Sequence, residues 1–335
     1  MKRSDYRGRF APSPTGPLHF GSLVAALGSY LDAKYHHGTW LVRMEDLDTP
    51  RCAPGAADDI LRTLDAYGLH WDGEVIYQSQ RTPAYETALQ QLKNIGAVYP
   101  CCCTRKESAD SALHGIEGPV YPGTCRNGIL EGREARAWRV RTDVDTSVLP
   151  EPVAGHYEYP AVRPSSFAKL RTNDFMIKFD DALQGCISQN LAQDVGDFIV
   201  KRADGLFAYQ LAVVVDDAYQ GVTHVVRGAD LLRSTPRQIH LQRALALPTP
   251  DFLHLPVAVN ELGEKLSKQT LAQAIRKDQA VSILFEALVF LRQVPPALLR
   301  TGKVEELLSW AVEHWQREQL TGISSVQAQY RTTSS

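Results

Sequence analysis

No stretch of the 335-residue chain approaches the ~18 consecutive apolar residues of a membrane-spanning helix. The most apolar region, Val281 to Leu291, is interrupted by Glu286 and predicts a buried helix. Met1-Lys-Arg-Ser-Asp-Tyr-Arg7 has no apolar segment behind it, so no secretory signal is expected, and the expected chain is cytoplasmic with no membrane partner. An excess of one charge is also missing. Thirty-six Lys and Arg stand against 38 Asp and Glu, a formal charge of −2, so no global basic field advertises nucleic acid, although local basic patches are still allowed. No internal repeat is present. The six cysteines include three in a row, which is not the spacing of a secreted disulfide framework. What remains is a chain with 44% hydrophobic residues, long enough for one large or two ordinary domains.

The most informative segment is Arg9-Phe-Ala-Pro-Ser-Pro-Thr-Gly-Pro-Leu-His-Phe-Gly-Ser22. Tyr6 to Phe10 reads as a short strand. Pro12 and Pro14 hold the following residues extended, and Gly16 permits a sharp turn. His19-Phe-Gly-Ser22 then opens a helix on which Phe20, Leu23, Val24, Leu27, Tyr30 and Leu31 share one face, with Gly38 as its stop. A strand, a Pro/Gly loop and a helix start form an arrangement that binds phosphate, because unpaired N–H groups and the helix dipole point at the anion. Far downstream, Lys265-Leu-Ser-Lys-Gln269 follows an apolar run (Phe252 to Val259) and a turn with Asn260 and Gly263. Two lysines around a serine make a mobile cationic clamp; taken alone, such a segment is more often a solvated loop.

Elsewhere strands alternate with helices. Thr39–Met44 predicts a strand that runs out into Glu45-Asp46-Leu47-Asp48, and 57–67 and 82–95 predict helices closed by Gly68 and Gly96. That alternation implies an α/β fold with a parallel sheet, and ligands in such sheets bind beyond the carboxyl ends of the strands, where Arg9 and Glu45 fall. From about Thr104 to Asn190 the pattern becomes irregular, with short strands at 137–141, 175–179 and 186–189, which suggests an insertion between two halves of the fold. Phe198 to Arg202 resumes as a strand with a turn at 203–205. Leu206 to Gly221 is apolar with Asp216-Asp217 at its exit. Thr223 to Gly228 predicts a strand ending in Arg227, and Asp230 is expected to cap a helix running to Leu245. Helical patterns follow at 280–293 and 304–318, before a polar tail from Thr321 that is expected to be mobile.

Cys101 and Cys103 face one side if they lie in a strand, with Cys102 opposite. Together with Cys125, beyond a Gly- and Pro-rich loop, they offer three soft ligands for zinc. The residues alone leave open whether these are ligands or three reduced, buried thiols. Cys52 and Cys186 have no partner pattern and read as packing residues.

The pair PSPTGPLHFG and KLSKQ resembles the two signatures of class I aminoacyl-tRNA synthetases, in their glutamyl/glutaminyl branch. RFAPSPTG, LVRMEDLD, the cysteine cluster, LFAYQLAVVVDD, VVRGADL and KLSKQ occur in the family's order, covering Tyr6 to about Lys268. Only residues 270–335 follow KLSKQ, where glutamyl-tRNA synthetases continue into a sizeable helical anticodon-binding domain. This shortened form, with HFGSLVAALGSY and KLSKQ, is similar to the glutamyl-queuosine tRNA(Asp) synthetases. The resemblance implies a Rossmann-type nucleotide-binding fold in two halves (1–103 and 191–270), an inserted acceptor-binding-like α+β region with a zinc site (104–190), a short helical stem-contact-like piece (271–320), a flexible tail (321–335) and no anticodon-binding domain.

It also implies the chemistry: ATP-dependent activation of L-glutamate without tRNA, then transfer to queuosine of tRNA(Asp), with Mg2+ accompanying ATP and the chain acting as a monomer. Charging of a tRNA 3′ end, or a paralogue without catalysis, are the alternatives. Carried over by motif, Arg9, Phe10, Ala11, Pro12 and Ser13 line the glutamate pocket, and Glu45 takes the α-ammonium. Tyr209 and Arg227 bind carboxylate, for which a guanidinium fork is well shaped. His19, Gly21, Lys265, Ser267 and Lys268 serve ATP, with His19 and Lys268 as the catalytic pair. The class signature has a second His where this chain has Ser22, which leaves His19 alone in that role. Cys101, Cys103, Tyr121 and Cys125 match a C-x-C…Y-x3-C structural zinc pattern, with Cys102 pointing away. No residue stands out as general base for the transfer step.

Overall fold

The computed structural model describes residues 5–110, 114–115, 118–143, 176–260, 262–265 and 273–327. The first unit is a parallel sheet of β1 (Arg7–Phe10), β2 (Thr39–Met44) and β3 (Ile76–Tyr77), in that order. Between β1 and β2 runs α1 (Phe20–Tyr35), fully buried at Leu23, Leu27 and Leu31 as the helical spacing predicts. Its end departs from expectation. His37 takes the left-handed conformation at φ 54°, and Gly38 is needed for a different reason: a Cβ there would sit 2.5 Å from the Tyr6 carbonyl oxygen. Helices α2 (Ala56–Ala66) and α3 (Thr82–Asn94) follow, each closed by a glycine at positive φ, Gly68 and Gly96.

The chain then builds β4 (Val98–Cys101), a short helix α4 (Arg105–Ala109), the two-residue strands β5 (His114–Gly115) and β6 (Gly118–Pro119), and β7 (Ala137–Val140). A hairpin of β8 (Met176–Asp181) and β9 (Gly185–Asn190) leads through α5 (Leu191–Asp194) to β10 (Phe198–Lys201), α6 (Tyr209–Tyr219), β11 (His224–Gly228), α7 (Thr235–Ala244), β12 (Asp251–Leu255) and β13 (Val257–Val259). Strand β11 lies beside β1: the Thr223 N–H donates to the Arg7 carbonyl at 2.9 Å, and the Arg7 N–H donates to Thr223 Oγ1 at 2.8 Å. The spatial order β3-β2-β1, then β11-β12, is a doubly wound arrangement whose direction reverses between β1 and β11.

Sheet membership does not follow the expected boundaries at 103/104 and 190/191. Strand β10, expected to resume the nucleotide fold, pairs antiparallel with β7, which pairs with β4, forming a separate three-stranded sheet. The β8–β9 hairpin, expected in the insertion, instead joins the main sheet beside β12, where Phe252 and Asp181 are partners. Pairing is long-range in both cases, and local alternation carries no information about which sheet a strand joins. Asp230 caps no helix. Residues 229–234 form a 3-10 turn, and α7 begins after Ser234.

Helices α8 (Ala280–Phe290) and α9 (Val304–Glu313) are not a detached piece. Leu284, Leu288 and Leu307 share one core with Leu23, Leu27 and Leu31 of α1, and Trp315 donates from its indole to Asp32 on α1 at 2.9 Å. The expected mobile tail contains β14 (Ser325–Gln327), paired in parallel with β13; residues 328–335 lie outside the described set. Among the described residues no helix is long and apolar enough to cross a membrane.

Candidate active site and cysteine cluster

A cleft of about 1030 Å³ opens at the carboxyl ends of β1, β2, β11 and β12. It brings together Arg9, Phe10, Ala11, Pro12, Ser13, His19, Gly21, Glu45, Tyr209, Arg227 and Lys265, from segments scattered over the whole chain. Ser267 and Lys268 lie outside the described residues.

Loop geometry sets the near wall. Gly16 adopts φ 149°, Thr15 donates its N–H back to the Ser13 carbonyl, and Glu45 donates its N–H to the Pro12 carbonyl at 2.9 Å. The loop after β1 and the loop after β2 are thereby tied together. His19 is the N-cap of α1: its Nδ1 accepts the Ser22 N–H at 3.3 Å, and its Nε2 lies 3.0 Å from Ser22 Oγ. The serine found where the class signature has a second histidine is thus a partner of the first. Behind them, the Ile275 N–H donates to the Leu18 carbonyl, which pins the chain beyond the KLSKQ segment to the helix entry. Lys265 pairs with Asp230 at 2.5 Å, the role Asp230 has in place of capping.

The floor is a buried ionic network that the sequence did not reveal. Asp217, on α6, receives Arg9 Nε at 3.1 Å and Arg43 Nη1 at 2.7 Å; Arg43 also reaches Glu45 at 3.2 Å and Gln220 at 2.8 Å. Next to it Asp216 accepts from Arg81, Gln78 and Tyr85. Burial opposes charge on Asp217, but the Arg9 and Arg43 guanidiniums hold its carboxyl below the usual range. Burial dominates at Glu45, raising its carboxyl even though Arg43 and Arg9 pull it down. The available signal was Asp216-Asp217 inside an apolar helix, since buried carboxylates must find partners.

On the opposite wall, Arg227 at the end of β11 is held on three sides. Its Nε donates to His254 Nε2 at 3.0 Å, Nη2 to Thr235 Oγ1 at 2.8 Å and Nη1 to the Tyr209 hydroxyl at 3.4 Å. Arg9 and Arg227 thus present guanidiniums, and Glu45 a carboxyl, to the same cleft.

The second candidate site lies outside that cleft. Cys101, Cys103 and Cys125 place their sulfurs all within 4.8 Å of one another. The Tyr121 hydroxyl is 3.4 Å from both Cys101 Sγ and Cys103 Sγ, and Cys103 and Cys125 sulfurs are 3.6 Å apart. A tetrahedral zinc with ~2.3 Å bonds to sulfur needs sulfurs about 3.8 Å apart, so this donor set fits the ion. Arg139 lies over the Tyr121 ring at 3.7 Å and reaches Cys101 Sγ at 3.3 Å, a positive charge suited to clustered thiolates. Burial works against ionising Cys125, but the Cys102 N–H and the Tyr121 hydroxyl bring its thiol down to about 7. Cys102 corrects the expectation: it does not point away. Strand β4 ends at Cys101, so the alternation stops there, and Cys102 Sγ lies buried 3.5 Å from Cys125 Sγ.

Residues 5–291 match the family model for tRNA synthetases class I (E and Q), catalytic domain. The chain is 57% identical over 314 residues to the Glutamyl-Q tRNA(Asp) synthetase of Dechloromonas aromatica, covering 93% of this chain and 94% of that one. It is 55% identical to the enzyme of the same name from Chromobacterium violaceum, covering 94% of this chain and 95% of that one. The chain belongs to the class I synthetase family, in its glutamyl-Q tRNA(Asp) branch. It is therefore a ligase of the aminoacyl-tRNA synthetase type. Among solved structures, the glutamate-tRNA synthetase of Elizabethkingia anophelis superposes with a TM-score of 0.71 at 22% identity, over 96% of this chain and 67% of that one, and so shows the same fold.

Proposed function

We propose that the chain activates L-glutamate with ATP to glutamyl-adenylate without tRNA, and then transfers the glutamyl group to the cyclopentenediol of queuosine in the anticodon of tRNA(Asp). The observation that carries the first half is the convergence on one cleft of the buried carboxyl of Glu45, suited to an ammonium, with the guanidiniums of Arg9 and Arg227, suited to carboxylates. Glu45 receives the α-ammonium, whose charge offsets the cost of ionising a buried carboxyl. Arg227, with Tyr209 beside it, and Arg9 face the substrate carboxylates.

The glutamate α-carboxylate oxygen attacks the α-phosphorus of ATP, the bond to the bridging oxygen breaks, and pyrophosphate leaves. The protein aligns the two groups and stabilises charge on phosphate oxygens. The start of α1 with His19, together with Lys265 and Lys268, supplies the positive dipoles and charges, and Mg2+ accompanies ATP. A hydroxyl of the queuosine diol then attacks the activated carbonyl, an ester forms and AMP leaves. Cys101, Cys103, Cys125 and Tyr121 hold a structural zinc, whose four protein ligands leave no open position for catalysis.

The test is ATP-dependent transfer of labelled glutamate to purified tRNA(Asp) with and without queuosine, alongside tRNA(Glu). Label confined to queuosine-containing tRNA(Asp) supports the proposal. Label on tRNA(Glu), or on tRNA(Asp) regardless of queuosine, would mean that the chain charges a 3′ end.

A further inference from the structure

Behind Arg227, on the glutamate wall of the cleft, lies a buried pair that does not line the cleft itself. His254 on β12 has no exposed surface, and Asp181 at the end of β8 is 4% exposed. Asp181 Oδ2 is 2.6 Å from His254 Nδ1, while Oδ1 accepts the N–H groups of Leu183 and Gln184 in the β8–β9 turn and of His254 itself. On the other side of the ring, Nε2 faces Arg227 Nε at 3.0 Å and the Thr235 hydroxyl, itself able to donate to a lone pair, at 3.3 Å.

Asp181 and Arg227 together leave one protonation state. A carboxylate at Nδ1 requires a proton there. An arginine Nε–H is a donor only, so the Nε2 opposite it must present a lone pair. An imidazolium would set two cationic donors face to face. We propose that His254, locked by Asp181 as the neutral Nδ1–H tautomer, is the positioning residue for Arg227, fixing the guanidinium so that it meets the glutamate carboxylate. Among the described residues His254 is the partner recorded for Arg227 Nε, while Thr235 and Tyr209 hold the two terminal nitrogens. The remaining groups around the ring agree with a neutral His254: Phe252 stacks on it, and burial, with the Arg227 charge, brings its pKa down to about 4 although Asp181 and Asp230 raise it. The role rests on the proposed function, in that Arg227 binds glutamate.

Three variants separate positioning from packing. Asp181→Asn keeps an oxygen for the turn N–H groups but offers an amide N–H to Nδ1. The ring must then carry its proton on Nε2, donor against donor with Arg227, the same kind of tautomer error that disables a catalytic triad. His254→Asn keeps a partner for Asp181 and loses the acceptor for Arg227, whereas His254→Gln places an amide oxygen near the Nε2 position. In glutamate-dependent ATP–pyrophosphate exchange, D181N and H254N are expected to raise the KM for glutamate about tenfold or more, with the KM for ATP within about twofold, and H254Q to restore most of the loss. Side-chain 15N NMR of the unsubstituted chain is expected to show His254 neutral and protonated at Nδ1 at pH 7. A ring protonated at Nε2, or at both nitrogens, would overturn the inference, and so would D181N and H254N proteins that fold and keep the parent KM for glutamate. The absence of any glutamate-dependent exchange by the unsubstituted chain would instead overturn the proposed function, and with it the role on substrate; the NMR arm still decides the tautomer, since it needs no substrate.

Discussion

Two of the buried polar clusters among the described residues are built on opposite plans. The floor of the cleft, Arg9, Arg43, Asp216 and Asp217, closes on itself: Asp217 sits between two guanidiniums, and Asp216 takes a guanidinium, an amide and a phenol. The cysteine cluster does not close. Apart from Arg139 at Cys101 Sγ and the Cys102 N–H at Cys125 Sγ, its sulfurs are grouped around the Tyr121 hydroxyl with only weak thiol contacts among themselves. Burial that satisfies itself is scaffold. Burial that converges several donors on one point without satisfying them calls for a cation. The first therefore cannot lose a member without leaving a buried charge unpaired, and the second should tolerate loss of its members except as they hold the metal.

The most damaging way to break that contrast is Asp217→Asn. It strips the shared carboxylate from Arg9 and Arg43, leaving buried positive charge without its counter-charge, at an expected cost of about 3–5 kcal/mol. Urea unfolding reads the stability. Glutamate-dependent pyrophosphate exchange is expected to fall at least about a hundredfold, because Arg9 and Glu45 lose their fixed geometry. A D217N protein within about 1 kcal/mol of the parent would show that the network is not the floor the site rests on.

Cys125→Ser is the matching change in the open cluster. One equivalent of zinc per chain is expected in the parent by elemental analysis, and less than a tenth of that in the variant. Unfolding should be eased by about 2–3 kcal/mol, confined to the sheet of β4, β7 and β10. Adenylate formation should stay within about fivefold of the parent, since none of the cluster lines the cleft. Equal loss of activation in C125S and D217N would erase the distinction between the two regions.

A pH series sharpens it further. Burial lowers His240, whose Nε2 donates to the Arg141 carbonyl at 2.9 Å, and His254, each to about 4. Between the ordinary histidine value of 6.5 and about 4, the unfolded chain takes up protons that the folded chain refuses. Stability is therefore full above pH 6.5 and lost as pH falls toward 4, on the order of 3 kcal/mol for each histidine. Asp217, held below its usual value, keeps its contribution throughout that window, and the raised Glu45 works in the opposite direction. Urea midpoints at pH 7.5, 6 and 5 should fall in the parent and flatten in His240→Gln and His254→Gln. An unchanged slope in both variants would assign the acid loss elsewhere.

What could be read in the sequence was what local periodicity carries. Strand β2 spans Thr39–Met44 as expected, and α1 buries the expected face. The candidate glutamate residues converge on one cleft because loops at strand ends do so in this topology. What could not be read was pairing at a distance. Arg9 and Asp217 are 208 positions apart, and Arg43 and Asp217 are 174 apart, so neither partner announces the other. The same holds for β10 and for His254, whose partners Asp181 and Arg227 lie 73 and 27 positions away. The left-handed turn at His37 was missed because Gly38 beside it offered the simpler explanation, while its actual role is close approach to Tyr6.

The smallest expected effect belongs to Cys102→Ser, and it tests the contrast at its finest point. Cys102 Sγ touches Cys125 Sγ at 3.5 Å, yet it is not in the set of sulfurs that all lie within 4.8 Å of one another. What Cys102 gives the site is its backbone N–H, donated to Cys125 Sγ at 3.5 Å, and serine keeps that group. The variant should bind one zinc and lose less than about 1 kcal/mol, the cost of placing a hydroxyl where a thiol packed. If zinc content falls in C102S while Tyr121→Phe retains the metal, the fourth ligand is Cys102 and not Tyr121. The ion would then sit among four sulfurs, and the Tyr121 hydroxyl would act as a hydrogen-bond donor to them.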